Sequence, residues 1–238
     1  MMIPAKTLQD ALAVALIAVY PAWDFWDTRK LRQGTDPREK LHYYKKTLVL
    51  EWIAAVVAVW AVGPKIFVMQ AGPPQFAADH ATAYRIVAWA LAALISWAVL
   101  NPHVRALRSP KTKAAVIRAL AKLQFFLPKT EEERRWFVAL SITAGVCEEV
   151  LFRGFLIRYL GIEPRHLGLT LAVILTALVF GAAHLYQGLQ GFVNSTIGGV
   201  IFSAVFLLTG SLALPIVFHA AADYLLVPIL RAGEAGSS

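Results

Sequence analysis

One cysteine, Cys147, stands among 238 residues. No disulfide can close within the chain, and no cysteine-rich zinc site can exist. Flanked by Val146 and Glu148, that cysteine reads as a small apolar filler, because two adjacent carboxylates and a dry surrounding disfavour a nucleophilic thiolate. Charge is scarce too. Asp, Glu, Lys and Arg make up 16% of the residues, against about 25% in an ordinary soluble domain. No basic leader or small-residue cleavage site marks the first apolar run, which is read as a retained span rather than a signal peptide. There is no internal repeat. The only low-complexity stretch is Gly233–Ser238, expected to be disordered.

What is abundant is apolar surface. Hydrophobic residues reach 58%, and mean hydropathy is +0.58. They fall in runs separated by charged loops, a division that one soluble core would not need. A helix crossing the ~30 Å hydrocarbon layer takes about 20 mostly apolar residues. Candidate spans are Ala11–Trp26, Thr47–Val62, Ile86–Leu100, Trp136–Leu160, Leu167–Leu185, Phe192–Thr209 and Leu212–Leu230. The first three are short or carry a charge, Asp24 or Glu51. The expected fold is therefore an all-α polytopic transmembrane helix bundle of about seven spans, within a range of six to eight.

The net charge of +8 is unevenly placed. Arg29, Lys30, Arg32, Arg38, Lys40, Lys45 and Lys46 lie between the first and second spans. Nine further basic residues, from Arg105 to Arg135, lie between the third and fourth, whereas 63–85 holds only Lys65 and Arg85. This alternation follows the positive-inside rule. It puts the N-terminus outside and the C-terminus, with Arg231, in the cytoplasm of a multi-pass protein of a bacterial or archaeal inner (plasma) membrane. Nothing gathers the basic groups on one folded face, so nucleic acid is not an expected partner.

Four segments are expected: N-terminal transmembrane helices over 1–101, a basic cytoplasmic linker over 102–135, a transmembrane core over 136–232, and the tail 233–238. In the linker, Val116, Leu120, Leu123 and Leu127 recur at helical spacing around Arg118 and Lys122, predicting an amphipathic helix that Pro128 ends. Thr130 and Glu133 then form a capping box for the fourth long helix. The first hundred residues show no concentrated polar chemistry.

The core does. Ionisable groups inside spans cost about 2.5–3.5 kcal/mol each on insertion scales and usually serve function. Glu149 and Arg153 are four apart and can pair on one helix face. Glu148, rotated about 100° from Glu149, is left to face another neighbour. Phe180 precedes His184 by one turn, and His219 precedes Asp223 by one turn. The intervening Gly181, Ala182, Ala183 and Ala220, Ala221, Ala222 leave room for a close helix or a substrate backbone. Three helices contributing polar groups at helical spacing describe a site in a bundle core. Ser195, Gly199 and Ser203 form a small-residue stripe suited to helix packing.

Glu148-Glu149-x-x-x-Arg153, Phe180-x-x-x-His184 and His219-x-x-x-Asp223 resemble, in order and spacing, the three motifs of the CPBP intramembrane proteases. That group contains the CAAX prenyl proteases of the Rce1 type and the Abi proteins. The resemblance covers roughly Trp136–Leu230. It implies a glutamate-dependent endopeptidase, in which Glu148 and His184 activate water while His219 and Asp223 stabilise the oxyanion. An ionised Asp223 would repel that oxyanion, so its expected task is to orient His219. Glu149, Arg153 and Phe180 are expected to support the site. The resemblance favours a metal-free mechanism with no cofactor. A zinc version would use His184, His219 and Glu148. The expected partners are membrane lipid and a hydrophobic or lipid-modified peptide or protein. A non-catalytic scaffold or immunity protein, or a proton-coupled transporter, would also carry polar groups in spans, although the inverted repeats of a transporter are missing.

Overall fold

The computed structural model describes residues 4–34, 37–69 and 80–234. The expected disordered tail lies outside them beyond Glu234, as do residues 70–79. Eight helices carry the described chain. They are α1 (Ala5–Gln33), α2 (Pro37–Val62), α3 (Ala81–Arg108), α4 (Pro110–Ala119), α5 (residues 131–161), α6 (Leu169–Ala183), α7 (Leu189–Thr209) and α8 (Ala213–Glu234). Every expected span falls on one of them. Four helices, α1, α3, α7 and α8, are long and apolar enough to cross a membrane by length and composition, and α6 is a shorter apolar helix. Their outward faces, with Val14, Ile86, Leu94 and Ile197 all more than half exposed, suit a hydrocarbon solvent. The protein is an integral membrane helix bundle.

The helix ends follow local chemistry. Thr130 accepts a hydrogen bond from the Glu133 amide at 3.2 Å, and the Glu133 carboxylate accepts in return from the amides of Thr130 and Lys129. Lys40 Nζ reaches the same carboxylate at 3.3 Å and the Leu127 carbonyl at 2.9 Å. Burial opposes ionisation of Glu133, but the amides and the Lys40 ammonium outweigh it and hold the carboxyl below its usual range.

The linker departs from expectation. Ser109 caps α4 and Pro110 takes its first position, yet the helix stops at Ala119 rather than running to Leu127. The chain then turns through the short 3-10 segment Ala121–Leu123. The reason is packing. Leu127 is buried with Tyr43, Tyr44, Phe137 and Leu230, and Leu120 and Leu123 lean on the same cluster. Three of the four apolar residues of that expected stripe, Leu120, Leu123 and Leu127, pack against the bundle.

The opposite end is tied by backbone. Met69 donates to Gly210 and Leu212 donates to Phe67, while Arg158 donates to the carbonyls of Lys65 and Val68. Gly210 sits at φ +68°, and a Cβ there would meet the Met69 carbonyl at 2.7 Å, so glycine ends α7 at this position.

The deepest layer is α5. A tract of π-helix, Glu149–Leu156, interrupts it, and every residue of that tract is buried. Wide turns of this kind re-aim side chains and concentrate at functional sites. Neighbouring α8 approaches α5 closely because Gly145 has no side chain: a Cβ there would stand 2.5 Å from the Ala220 Cβ. Gly199 similarly lies against Ala177 of α6, and Ser203 donates to the Gly199 carbonyl. Two members of the small-residue stripe therefore serve packing. Cys147 is fully buried in the main apolar cluster.

Candidate active site

The close contact between Gly145 and Ala220 brings the residues that follow Gly145 against the one that precedes Ala220. Glu148 and Glu149 thereby meet His219. The ring nitrogen Nδ1 of His219 lies 2.8 Å from Glu149 Oε1, a direct hydrogen bond with the carboxylate accepting. The same oxygen lies 3.0 Å from Arg153 Nη1. Arg153 and Glu149 are both fully buried. The guanidinium also covers the Phe180 ring, at 4.4 Å from its centroid, a contact that gains strength away from water.

This arrangement revises the expected role of two residues. Glu149 does more than neutralise Arg153, because it also fixes the orientation of His219. Asp223, expected to do that, stands 3.7 Å from His219 Nε2, too far for a direct hydrogen bond. Glu148 Oε2 is also 3.7 Å from Nε2. With Nδ1 engaged, Nε2 is thus left between two carboxyl groups and bonded to neither. Phe202 stacks on the ring at 5.6 Å with the planes 13° apart.

His184 caps the end of α6. Its Nδ1 lies 2.8 Å from the Phe180 carbonyl, so Nδ1–H is the donor there and Nε2 of the neutral ring is an acceptor. The Phe180 ring packs 4.6 Å from His184. Phe180 therefore acts twice, its carbonyl turning one catalytic candidate while its ring carries the arginine behind the other.

Glu148, His184, His219, Asp223 and Phe180 line one cavity of about 440 Å³. Glu149 and Arg153 do not line it and stand behind it. Ser195, the third member of the small-residue stripe, does line it. So do Leu120, Leu123 and Leu127. The cavity therefore sits at the end of the bundle that carries the two basic loops, away from the tied Gly210 end.

The N-terminal helices contribute more than the sequence suggested. Tyr20 and Asp24 of α1 and Tyr43, Thr47 and Glu51 of α2 all line the same cavity, correcting the view that the first hundred residues hold no concentrated polar chemistry. Tyr43 donates to Asp24 at 2.6 Å. His103 of α3 and Asn194 of α7 complete the polar wall. A signal was present: Tyr20/Asp24 and Tyr43/Thr47/Glu51 recur every four residues, placing each set on one helix face.

The zinc alternative would draw on His184, His219 and Glu148. Among the described residues no group of three or more His, Cys, Asp or Glu is placed to hold a metal ion. Nδ1 of each of the two histidines is engaged, by the Phe180 carbonyl and by Glu149, and each Nε2 is left free.

Residues 131–225 match the family model described as type II CAAX prenyl endopeptidase Rce1-like. No curated protein and no solved structure matches the chain.

Proposed function

We propose, from the premise that residues 131–225 of this integral membrane protein belong to the Rce1-like protease family, that the chain is a glutamate-type endopeptidase acting without a metal or other cofactor. The observation that carries the reading is the convergence of Glu148, His184, His219 and Asp223 on one cavity.

Glu148 is the general base. A water placed between its carboxylate and the free Nε2 of His184 gives a proton to Glu148, and the water oxygen adds to the peptide carbonyl carbon. Negative charge then develops on the former carbonyl oxygen. His219 donates to it from Nε2, which requires both ring nitrogens to carry protons because Nδ1 is engaged with Glu149. The carboxyl groups at 2.8 and 3.7 Å supply the countercharge for that ring. Pre-oriented donors aimed at a developing oxyanion are commonly worth about 2.7–4 kcal/mol each. Collapse of the intermediate breaks the C–N bond, and Glu148 returns its proton to the leaving amine. Asp223 binds at the cavity edge and assists the oxyanion through His219 or through bound water.

The positive-inside rule, applied to the two basic loops around the cavity, gives a cytoplasmic active site with the N-terminus outside and the C-terminus inside. The substrate is a hydrophobic or lipid-modified peptide segment entering from the bilayer or from that face. The test is cleavage of membrane peptides by protein reconstituted in vesicles. Glu148→Ala and His184→Ala should each lose at least about a hundredfold in rate, the usual scale for a positioned acid–base group. Equal cleavage by both variants and the wild type would leave the protein as a non-catalytic member.

A further inference from the structure

The four carboxyl groups of the cavity are not equally provided for. Glu148 and Asp223 each lie 3.7 Å from the His219 ring, near enough to share its charge although Glu148 Oε2 makes no hydrogen bond, and Asp24 accepts the Tyr43 hydroxyl. Glu51 has almost nothing. Its side chain belongs to a residue only 5% exposed, its Oε1 is reached by the Tyr20 hydroxyl only at 3.5 Å, and its Oε2 has no hydrogen-bond partner. Among the described residues no ion pair reaches Glu51 or Asp24. Although the chain has 23 lysines and arginines, none of those described lines the cavity. A buried carboxylate is costly unless something pairs with it, and here no protein cation does.

The reacting centre solves this problem internally, since Arg153 sits against Glu149. The Glu51 wall does not. We propose that Glu51, backed by Asp24, is a subsite for a cationic side chain of the substrate, so that this protein selects peptides carrying Lys or Arg near the bond it cuts. The position fits. Glu51 shares the cavity with Glu148, and the two also line a second, smaller void together with Leu16 and Phe152, so the subsite adjoins the base rather than lying at a remote surface. The aliphatic stem of a lysine or arginine would pass along apolar wall while its head reaches the acid. The inference rests on the endopeptidase reading of the same cavity.

The experiment uses full-length protein in lipid nanodiscs and pairs of apolar peptides that differ only by lysine or its neutral isostere norleucine, scanned through each position. Both cleavage and equilibrium binding are measured. At one or more positions the lysine peptide should be preferred by about tenfold or more, the scale of a hydrogen-bonded charge pair. Glu51→Gln should bring that ratio close to one, and Glu51→Asp, which keeps the charge, should retain part of it. A wild type that never prefers lysine overturns the subsite without any variant. So does a preference that Glu51→Gln leaves intact. If neither peptide is cut yet lysine still binds more tightly through Glu51, the subsite stands and the protease reading fails.

Discussion

Gly145→Ala tests the contact on which the site's geometry depends. A Cβ added at Gly145 would stand 2.5 Å from the Ala220 Cβ, 2.6 Å from its backbone nitrogen and 2.7 Å from its Cα. Non-bonded carbons rest about 3.5–4.0 Å apart, so α5 and α8 must separate there by about 1 Å. The atoms opposite are mostly backbone and cannot swing aside. His219 immediately precedes Ala220, and its bond to Glu149 is 2.8 Å. Adding about 1 Å takes that bond beyond hydrogen-bonding range. Misplacement of this size can cost about a hundredfold in rate, and overpacking costs about 1–3 kcal/mol of stability, offset by up to about 1 kcal/mol from replacing glycine within a helix. The variant should therefore lose up to about 3 kcal/mol of stability and stay folded, while losing most of its kcat/KM. Gly198→Ala is the control, because nothing lies within 4 Å of its Cβ position, and it should keep wild-type turnover while gaining up to about 1 kcal/mol of stability. Thermal unfolding in detergent and peptide cleavage in vesicles measure the two quantities. Wild-type turnover by Gly145→Ala would refute the claim that this contact sets His219.

The two acids around His219 should separate on substitution. Glu149→Ala removes both the direct partner of His219 and the countercharge of buried Arg153, and should cost about 3–5 kcal/mol of unfolding free energy as well as activity. Asp223→Asn leaves the Nδ1 bond untouched, and its kcat/KM should stay within about tenfold of wild type, a single modest hydrogen bond's worth. A greater loss in Asp223→Asn than in Glu149→Ala would reverse the assigned roles. Turnover should survive extensive dialysis against a strong zinc chelator, and loss that added zinc restores would bring back the metal mechanism. At the basic end, Glu133→Gln should lower stability by about 1–2 kcal/mol, because glutamine can still accept from the Thr130 amide but loses the charge that faces Lys40 and the helix N-terminus. The Glu133 carboxyl is held below its usual range, so its contribution is present above the ordinary carboxylate range and fades as pH falls through the lowered value. Acidification should accordingly destabilise the wild type more steeply than Glu133→Gln, read as the pH dependence of unfolding.

The candidate site is assembled from two halves with different legibility. The C-terminal half announces itself, since Glu148, Glu149, Arg153, His184, His219 and Asp223 are polar groups in apolar surroundings, and such groups are too costly to be accidental. The wall from α1 and α2 is harder to read because Tyr20, Tyr43 and Thr47 are ordinary in membrane helices. Asp24 and Glu51 registered as flaws in weak spans before the fold placed them in the cavity. Regulation of substrate choice by this N-terminal half would let one catalytic core serve different peptides, with the chemistry kept on α5, α6 and α8.

Composition and spacing by themselves determined a helical membrane protein, its runs of span, the bias of its basic loops and the pairing of Glu149 with Arg153. These are properties of short windows, where hydrophobic length and the four-residue turn leave few alternatives. They could not determine which acid holds His219. That depended on a π-helical tract beginning at Glu149 and on how closely Gly145 admits Ala220, both consequences of packing between helices 70 residues apart in sequence. Nor could they show that the linker's leucines turn inward, or that Glu51 shares a cavity with Glu148. A lone sequence records each residue's cost in lipid, whereas only the assembled bundle decides which neighbour compensates it.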